Sequence, residues 1–217
     1  METFPWAAER LSDHLWLVRG ALGRPERLRL ARRMAAQALG LSDDAVQIAR
    51  GGNGKPLIAA PTGSLSVNWS HRPGLMLIGL AEGQIGVDVE LLPGDDPLPL
   101  ARDHFAAAEA AWLASLPAEG RPRAFTLLWT AKEALLKATG QGIASGLAQP
   151  DLSALLPLGG TARLAFAGQD FSLYWFDLGT AIGCRAVAPR PAQVTFPCFP
   201  GAGPETASLS GSPGVME

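Results

Sequence analysis

The chain has little that would mark it for an oxidising compartment, a membrane or a polyanion. Two of its 217 residues are cysteines, Cys184 and Cys198. They form neither a spaced metal pair nor a disulfide framework, and their scarcity fits a reducing cytoplasm. Lysine and arginine (18) nearly balance aspartate and glutamate (20), leaving a formal charge of −2. No global basic field argues for nucleic acid, although a local basic pocket is compatible with that total. The most apolar stretch, around Leu75–Leu80, is far too short to cross a bilayer as a helix. Met1–Trp6 lacks a basic region followed by an apolar run, so no signal peptide is visible. A P-loop is absent too, because the run from Gly51 to Lys55 lacks the glycine-to-lysine spacing and the following Ser or Thr. The expectation is a soluble cytoplasmic chain that binds neither nucleic acid nor membrane.

What the chain does contain is apolar patterning. Hydrophobic residues make up 47%, enough to bury a core in one large domain or two small ones. Leu15–Val18 predicts a short strand. From Pro25 to Leu39 the spacing turns helical, with Leu28, Ala31, Ala35 and Leu39 on one stripe and Gly40 as the stop. Ala45–Ala49 alternates as a strand would. Gly51–Gly54 forces a loop that Lys55–Pro56 closes, and Leu65–Trp69, Leu75–Ala81 and Ile85–Glu90 predict three further strands. Pro93–Pro99 holds three prolines, one glycine and two aspartates, and is the best boundary. Beyond it, Ala106–Leu116 and Arg123–Thr139 predict helices, and 162–166, 172–176 and 182–187 a three-strand meander. This order predicts an α+β fold of two similar halves, 1–95 and 96–196, followed by a disordered tail over 197–217.

Within Ile85–Glu90, Asp88 and Glu90 are spaced to share one face of a strand, with Val87 and Val89 on the other. Adjacent like charges repel unless a cation lies between them. A hard divalent ion such as Mg²⁺ takes oxygens from one or two carboxylates and leaves room for substrate phosphates. The alternative is an exposed face with two solvated acids.

A second group lies in the longer helix, at Trp129–Lys137. Glu133 and Lys137 are four residues apart and share a face, which by itself describes an ordinary surface ion pair. Beside a strand with two acids, the same helix offers a third oxygen ligand and, in Lys132 and Lys137, cations suited to a polyphosphate. Ser70 and His71 invite comparison with a hydrolase triad. The glycine-framed elbow is missing, however, and adjacent strand residues point to opposite faces. Phosphate contacts suit them better. Gly54-Lys55-Pro56 is either a plain turn tip or a place where a lysine meets a phosphate.

Together these residues resemble a 4′-phosphopantetheinyl transferase of the Sfp-like, two-half branch. The resemblance rests on four motifs in order: Gly54-Lys55-Pro56, the Asn-x-Ser-His run Asn68–His71, the Gly-Val-Asp-Val-Glu strand Gly86–Glu90, and the Trp-Thr-x-Lys-Glu-Ala-x-x-Lys helix Trp129–Lys137. It covers roughly residues 24–142. Two positions depart from it: Arg72 stands where Ser or Thr is common, and Trp69 is bulkier than usual.

The resemblance implies two halves related by a pseudo-twofold, with coenzyme A in the cleft between them. It implies transfer of the phosphopantetheine arm to a serine of an apo acyl or peptidyl carrier protein. Mg²⁺ would be held by Asp88, Glu90 and Glu133. Lys137 would sit at the pyrophosphate, with Lys132 as a second contact. Glu133 is the leading general base and Glu109 the other. Lys55, Pro56, Ser70 and His71 would bind the nucleotide end, and Arg24 and Arg27 are the candidates for the 3′-phosphate. A monomer holding its own complete site is expected. The competing reading is a non-catalytic carrier-protein or nucleotide-binding module of the same fold. A different Mg²⁺-dependent phosphotransferase ranks lower, since no kinase signature is present.

Overall fold

The computed structural model describes residues 8–12, 15–20, 22–50, 55–61, 63–142 and 146–189. The expected tail, Cys198 and the glycines at 51–54 lie outside these residues.

The chain opens with a sheet of six strands and one helix. The strands are β1 (Ala8–Ser12), β2 (Leu15–Arg19), β3 (Gln47–Arg50), β4 (Pro56–Ala60), β5 (Gly63–Arg72) and β6 (Leu75–Ala81), and the helix is α1 (Arg24–Leu39). The spatial order is β1-β2-β6-β5-β4-β3. Gly40 ends α1 with φ +67, the left-handed turn that a glycine takes without a Cβ penalty. The second unit holds α2 (Leu98–His104), α3 (Ala107–Ser115) and α4 (Arg121–Thr139), and strands β7 (Ile85–Leu91), β8 (Thr161–Phe166), β9 (Gln169–Asp177) and β10 (Ala181–Val187). Its sheet runs β7-β10-β9-β8. The fold is therefore α+β, with two sheet-and-helix subdomains. No helix among the described residues is long and apolar enough to cross a membrane.

Strand alternation divides the apolar side chains among three cores. Val18, Val67, Met76, Ile78 and Leu80 meet Leu30, Ala31, Met34 and Ala35 of α1. The opposite faces of β2 and β6 send Leu15, Leu17 and Leu77 against Ile85, Val87 and Val89 of β7. Gly79 lets the sheets close up, because a Cβ there would lie 2.7 Å from Ile85 and 2.8 Å from Val87. The third core joins Leu128, Ala131 and Leu135 of α4 to Leu173, Ile182, Cys184 and Ala186 of the second sheet.

Two strands escape the sequence reading. β1 was not anticipated, and Pro56, expected to close a loop, begins β4. A third difference matters more. The reading groups the Asp88 strand with the first half, but β7 hydrogen-bonds antiparallel to β10 over Ile85–Leu91 and is the edge of the second sheet. The patterning of β7 declares its faces and not its partner.

The apolar face of β7 packs on the first sheet, and its other face carries Gly86, Asp88 and Glu90. A Cβ on Gly86 would stand 1.9 Å from the Ala134 carbonyl oxygen and 2.5 Å from the Ala138 nitrogen. Helix α4 therefore rests backbone against backbone on the strand, through Ala134 and Ala138. Gly86→Ala is expected to force α4 off β7 and lower stability by at least about 3 kcal/mol, the upper end of overpacking costs. The urea midpoint of the variant, with the slope unchanged, checks this.

Candidate active site

Two strands and one helix deliver the acids and their partners. On β5, residues 68, 70 and 72 alternate onto the face that meets β7. Asn68 Oδ1 accepts from the Val87 backbone N–H at 2.8 Å, which satisfies a donor on the exposed edge of β7. Ser70 Oγ donates to Asp88 Oδ1 at 2.8 Å. Arg72 donates through Nε and Nη2 to the two carboxylate oxygens of Glu90. From α4, Lys137 Nζ donates to the same Asp88 Oδ1 at 2.6 Å.

Glu133 shares this face of α4 and is 4% exposed. Its Oε1 is buried without a hydrogen-bond partner, and so is Oδ2 of Asp88. Burial first, and then the charge of Asp88, push the Glu133 carboxyl up to about 7, against the pull of Lys137. Burial and Asp88 likewise raise Glu90, and Arg72 opposes them. Cys184 lies directly across the ladder from Asp88. Burial, helped by that carboxylate, holds its thiol well above the usual range, so it carries no nucleophile here. Among the described residues no group of three or more His, Cys, Asp and Glu side chains converges closely enough to hold a metal ion. The three-carboxylate set expected from the sequence is thus met by two acids with unpartnered buried oxygens, while Glu90 is engaged by Arg72.

Two cavities lie on the α1 side of β5, and none of the three acids lines either of them. One, of about 440 Å³, is bordered by Arg24, Arg27, Arg32, Pro56, Asn68 and Trp69. The other, of about 410 Å³, is bordered by Arg27, His71 and Arg72. Arg27 borders both, and its Nε is buried without a partner. Burial, then Arg27, Arg72 and Lys137, hold the His71 imidazole below its usual range, as befits a basic trough.

A sequence model described as the 4′-phosphopantetheinyl transferase superfamily matches residues 84–186, the stretch that contains Asp88, Glu133 and Lys137. Over that stretch the chain is similar to that superfamily, and relatives bearing the same name match it as well. It is 44% identical over 126 residues to slr0495 of Synechocystis sp., a provisionally named 4′-phosphopantetheinyl transferase, covering 56% of this chain and 51% of that one. It is 40% identical over 111 residues to the 4′-phosphopantetheinyl transferase HetI of Nostoc sp., covering 49% and 46%. It is 36% identical over 118 residues to the 4′-phosphopantetheinyl transferase psf-1 of Bacillus pumilus, covering 54% and 46%. The chain spans about half the length of the curated relatives it matches.

Several residues expected at one site prove to be apart. Lys132 and Glu109 are each 0% exposed and form an ion pair at 2.8 Å. Lys132 also donates to the Pro150 carbonyl and lies 5.2 Å over the Phe105 ring. Glu109 accepts from the backbone N–H groups of Ala106 at 2.9 Å and Leu152 at 2.7 Å. The pair locks α3, α4 and the segment after α4 together. Its enclosure corrects the expectations of Lys132 as a substrate contact and of Glu109 as a base. Helix geometry explains this, since Lys132 and Glu133 point about 100° apart.

Lys55 is likewise committed. Its Nζ donates to the carbonyls of Ile85 at 2.6 Å and Ala138 at 3.0 Å, and burial pulls its ammonium down to about 8. It staples β7 to the end of α4, where the sequence suggested a phosphate. Ser70 and His71 sit on opposite faces, Ser70 toward Asp88 and His71 toward Arg27. The sequence reading missed two partners in this region. Arg32 follows Arg24 and Leu28 at helical spacing, a usable signal. The tie from Arg72 to Glu90 follows the alternation of Asn68, Ser70 and Arg72, once β5 is known to face β7.

The ionisation of Glu133 opposes folding. The unfolded chain gives up this proton near 4.5, the folded protein near 7. The native state therefore binds more protons across that interval, and stability falls as pH rises through it. Glu133→Gln removes the effect. The stability difference between the variant and the parent is expected to grow from about pH 4.5 to pH 7, in the variant's favour, and then level off. After screening it reaches on the order of 2 kcal/mol, read from urea titrations at several pH values.

Proposed function

We propose that the chain transfers the 4′-phosphopantetheine arm of coenzyme A to a serine hydroxyl of an apo acyl or peptidyl carrier protein, in the cytoplasm, releasing adenosine 3′,5′-bisphosphate. One observation carries this reading: Lys137 binds Asp88, while Asp88 and Glu133 each keep a buried oxygen without a partner, and arginines line the cavities on the α1 side of β5. The match of residues 84–186 to the superfamily model supports it, as do the names of the relatives. We further propose that the two units are related by a pseudo-twofold, that coenzyme A occupies the cleft between them, and that one monomer holds the complete site.

Asp88 and Glu133 supply donors of the kind a hard divalent cation takes, although the described acids do not converge as a three-acid cluster. Asp88 Oδ2 and Glu133 Oε1 are buried oxygens without partners, and Mg²⁺ takes one or two carboxylates while leaving positions for phosphate oxygens. Asp88 and Glu133 would hold it, with Glu90 as the third ligand. Bound there, the cation would polarise the diphosphate and offset charge growing on the leaving oxygen. The chain's own side chains supply the rest. Arg24, Arg27 and Arg32 offer planar donors to the 3′-phosphate. His71 offers an imidazole donor to the neighbouring phosphates, and Pro56 walls the nucleotide end. Asp88 orients the Lys137 ammonium toward the leaving group. Glu133, or a water it orders, takes the serine proton.

Intact-mass measurement of an apo carrier protein, incubated with this protein, coenzyme A and Mg²⁺, tests the reading. The carrier is expected to gain one phosphopantetheine arm. Asp88→Asn is expected to slow transfer at least about 100-fold, and Lys137→Gln to lower kcat more than it weakens coenzyme A binding. Retained coenzyme A binding with no mass gain on several apo carriers would instead favour a non-catalytic module.

A further inference from the structure

Arg72 joins two features that the reaction as proposed treats separately. It ends β5 on the same face as Ser70, and it grips both oxygens of Glu90. It also borders the cavity of about 410 Å³ beside Arg27 and His71. The two partners differ in freedom. The Arg72 side chain is 42% exposed and that of Glu90 16%, so the arginine has room to leave and the glutamate does not. Asp88 and Glu90 stand on one strand face, where adjacent like charges repel unless a cation lies beside them. At present the chain supplies its own. A divalent ion that recruits Glu90 has to displace a bidentate guanidinium, among the stronger contacts a carboxylate makes.

We propose that Arg72 is an exchangeable counter-cation, which holds Glu90 until a phosphorylated ligand in the adjoining cavity draws the guanidinium away, so that ligand binding there and divalent-cation binding at the acids favour one another. The proposal rests on the reading of Asp88, Glu90 and Glu133 as cation ligands. Coupling of this kind is reciprocal: whatever factor the ligand adds to cation affinity, the cation adds to ligand affinity. The cavity suits a phosphate monoester or diphosphate, since Arg27, His71 and Arg72 all present N–H donors.

Titrating the full chain with Mn²⁺ and following free ion by electron paramagnetic resonance, with and without adenosine 3′,5′-bisphosphate, tests this. In the parent protein the bisphosphate is expected to tighten Mn²⁺ binding at least about fivefold. Arg72→Gln is expected to bind Mn²⁺ tighter on its own by a similar factor and to keep less than about a twofold response to the bisphosphate. Arg72→Lys, which keeps the charge and loses the planar grip, is expected to fall between them. Far-ultraviolet circular dichroism confirms folding, and if the glutamine variant does not fold, the lysine variant decides alone. Equal Mn²⁺ affinity in parent and variant, or an undiminished response in the variant, overturns the proposal and leaves the cation reading standing. No Mn²⁺ binding to any form overturns both.

Discussion

Everything at the candidate site depends on how closely α4 lies on β7. A strand and a helix normally keep a layer of side chains between them. Here Gly86 on the strand and Ala134 and Ala138 on the helix remove that layer. The result is positional. With backbones nearly touching, the next strand residue on that face, Asp88, comes within hydrogen-bond reach of Lys137, one turn beyond Glu133. Lys55 reinforces the contact by bonding one carbonyl on each element, and Asn68 fixes the far edge of the strand. The glycine that opens the Gly-Val-Asp-Val-Glu motif is therefore a spatial requirement of the acids that follow it.

Electrostatics then separates two neighbouring lysines of α4. Lys132 faces the interior of the second unit and is paired with Glu109 at full burial. Such a pair is weak evidence for net stability, because desolvation offsets much of the attraction. It does specify how α3, α4 and the Pro150 segment meet, since removing one member would strand a buried charge. Lys137 sits one turn further along and partly open, 29% exposed against 2% for Asp88. One lysine organises the fold and the other remains accessible to chemistry, although both stand in the same short motif.

The sequence disclosed periodicity well and partnership poorly. Gly40 and Gly140 marked the ends of α1 and α4, and alternation marked β5, β6, β7 and the closing meander. These signals are local. The sheet that β7 joins, the burial of Lys132 with Glu109 and the double carbonyl contact of Lys55 all depend on residues roughly 20 to 100 positions away, beyond any local window of sequence. The departure at Arg72 was visible, and a turn or a phosphate accounted for it equally well until β5 was seen to run beside β7. The contact of Asp88 with Lys137 was legible because two motifs named both ends of it.

The unpartnered oxygens of Asp88 and Glu133 are a conflict that the interior leaves at the candidate site. Buried polar atoms are almost always paired, and a carboxylate left without a donor loses its hydration with little in return. The chain does not lack means of repair. It places Ser70 and Lys137 on one oxygen of Asp88 and Arg72 on Glu90, yet both neighbouring oxygens of Asp88 and Glu133 stay open. Local rules tend to fail at functional sites, where a ligand completes what the fold leaves undone. A fold that satisfies Glu109 with two N–H donors and an ammonium, and leaves Glu133 titrating near 7, treats its buried acids differently. That contrast, more than the count of acids, is what the proposed cation site rests on.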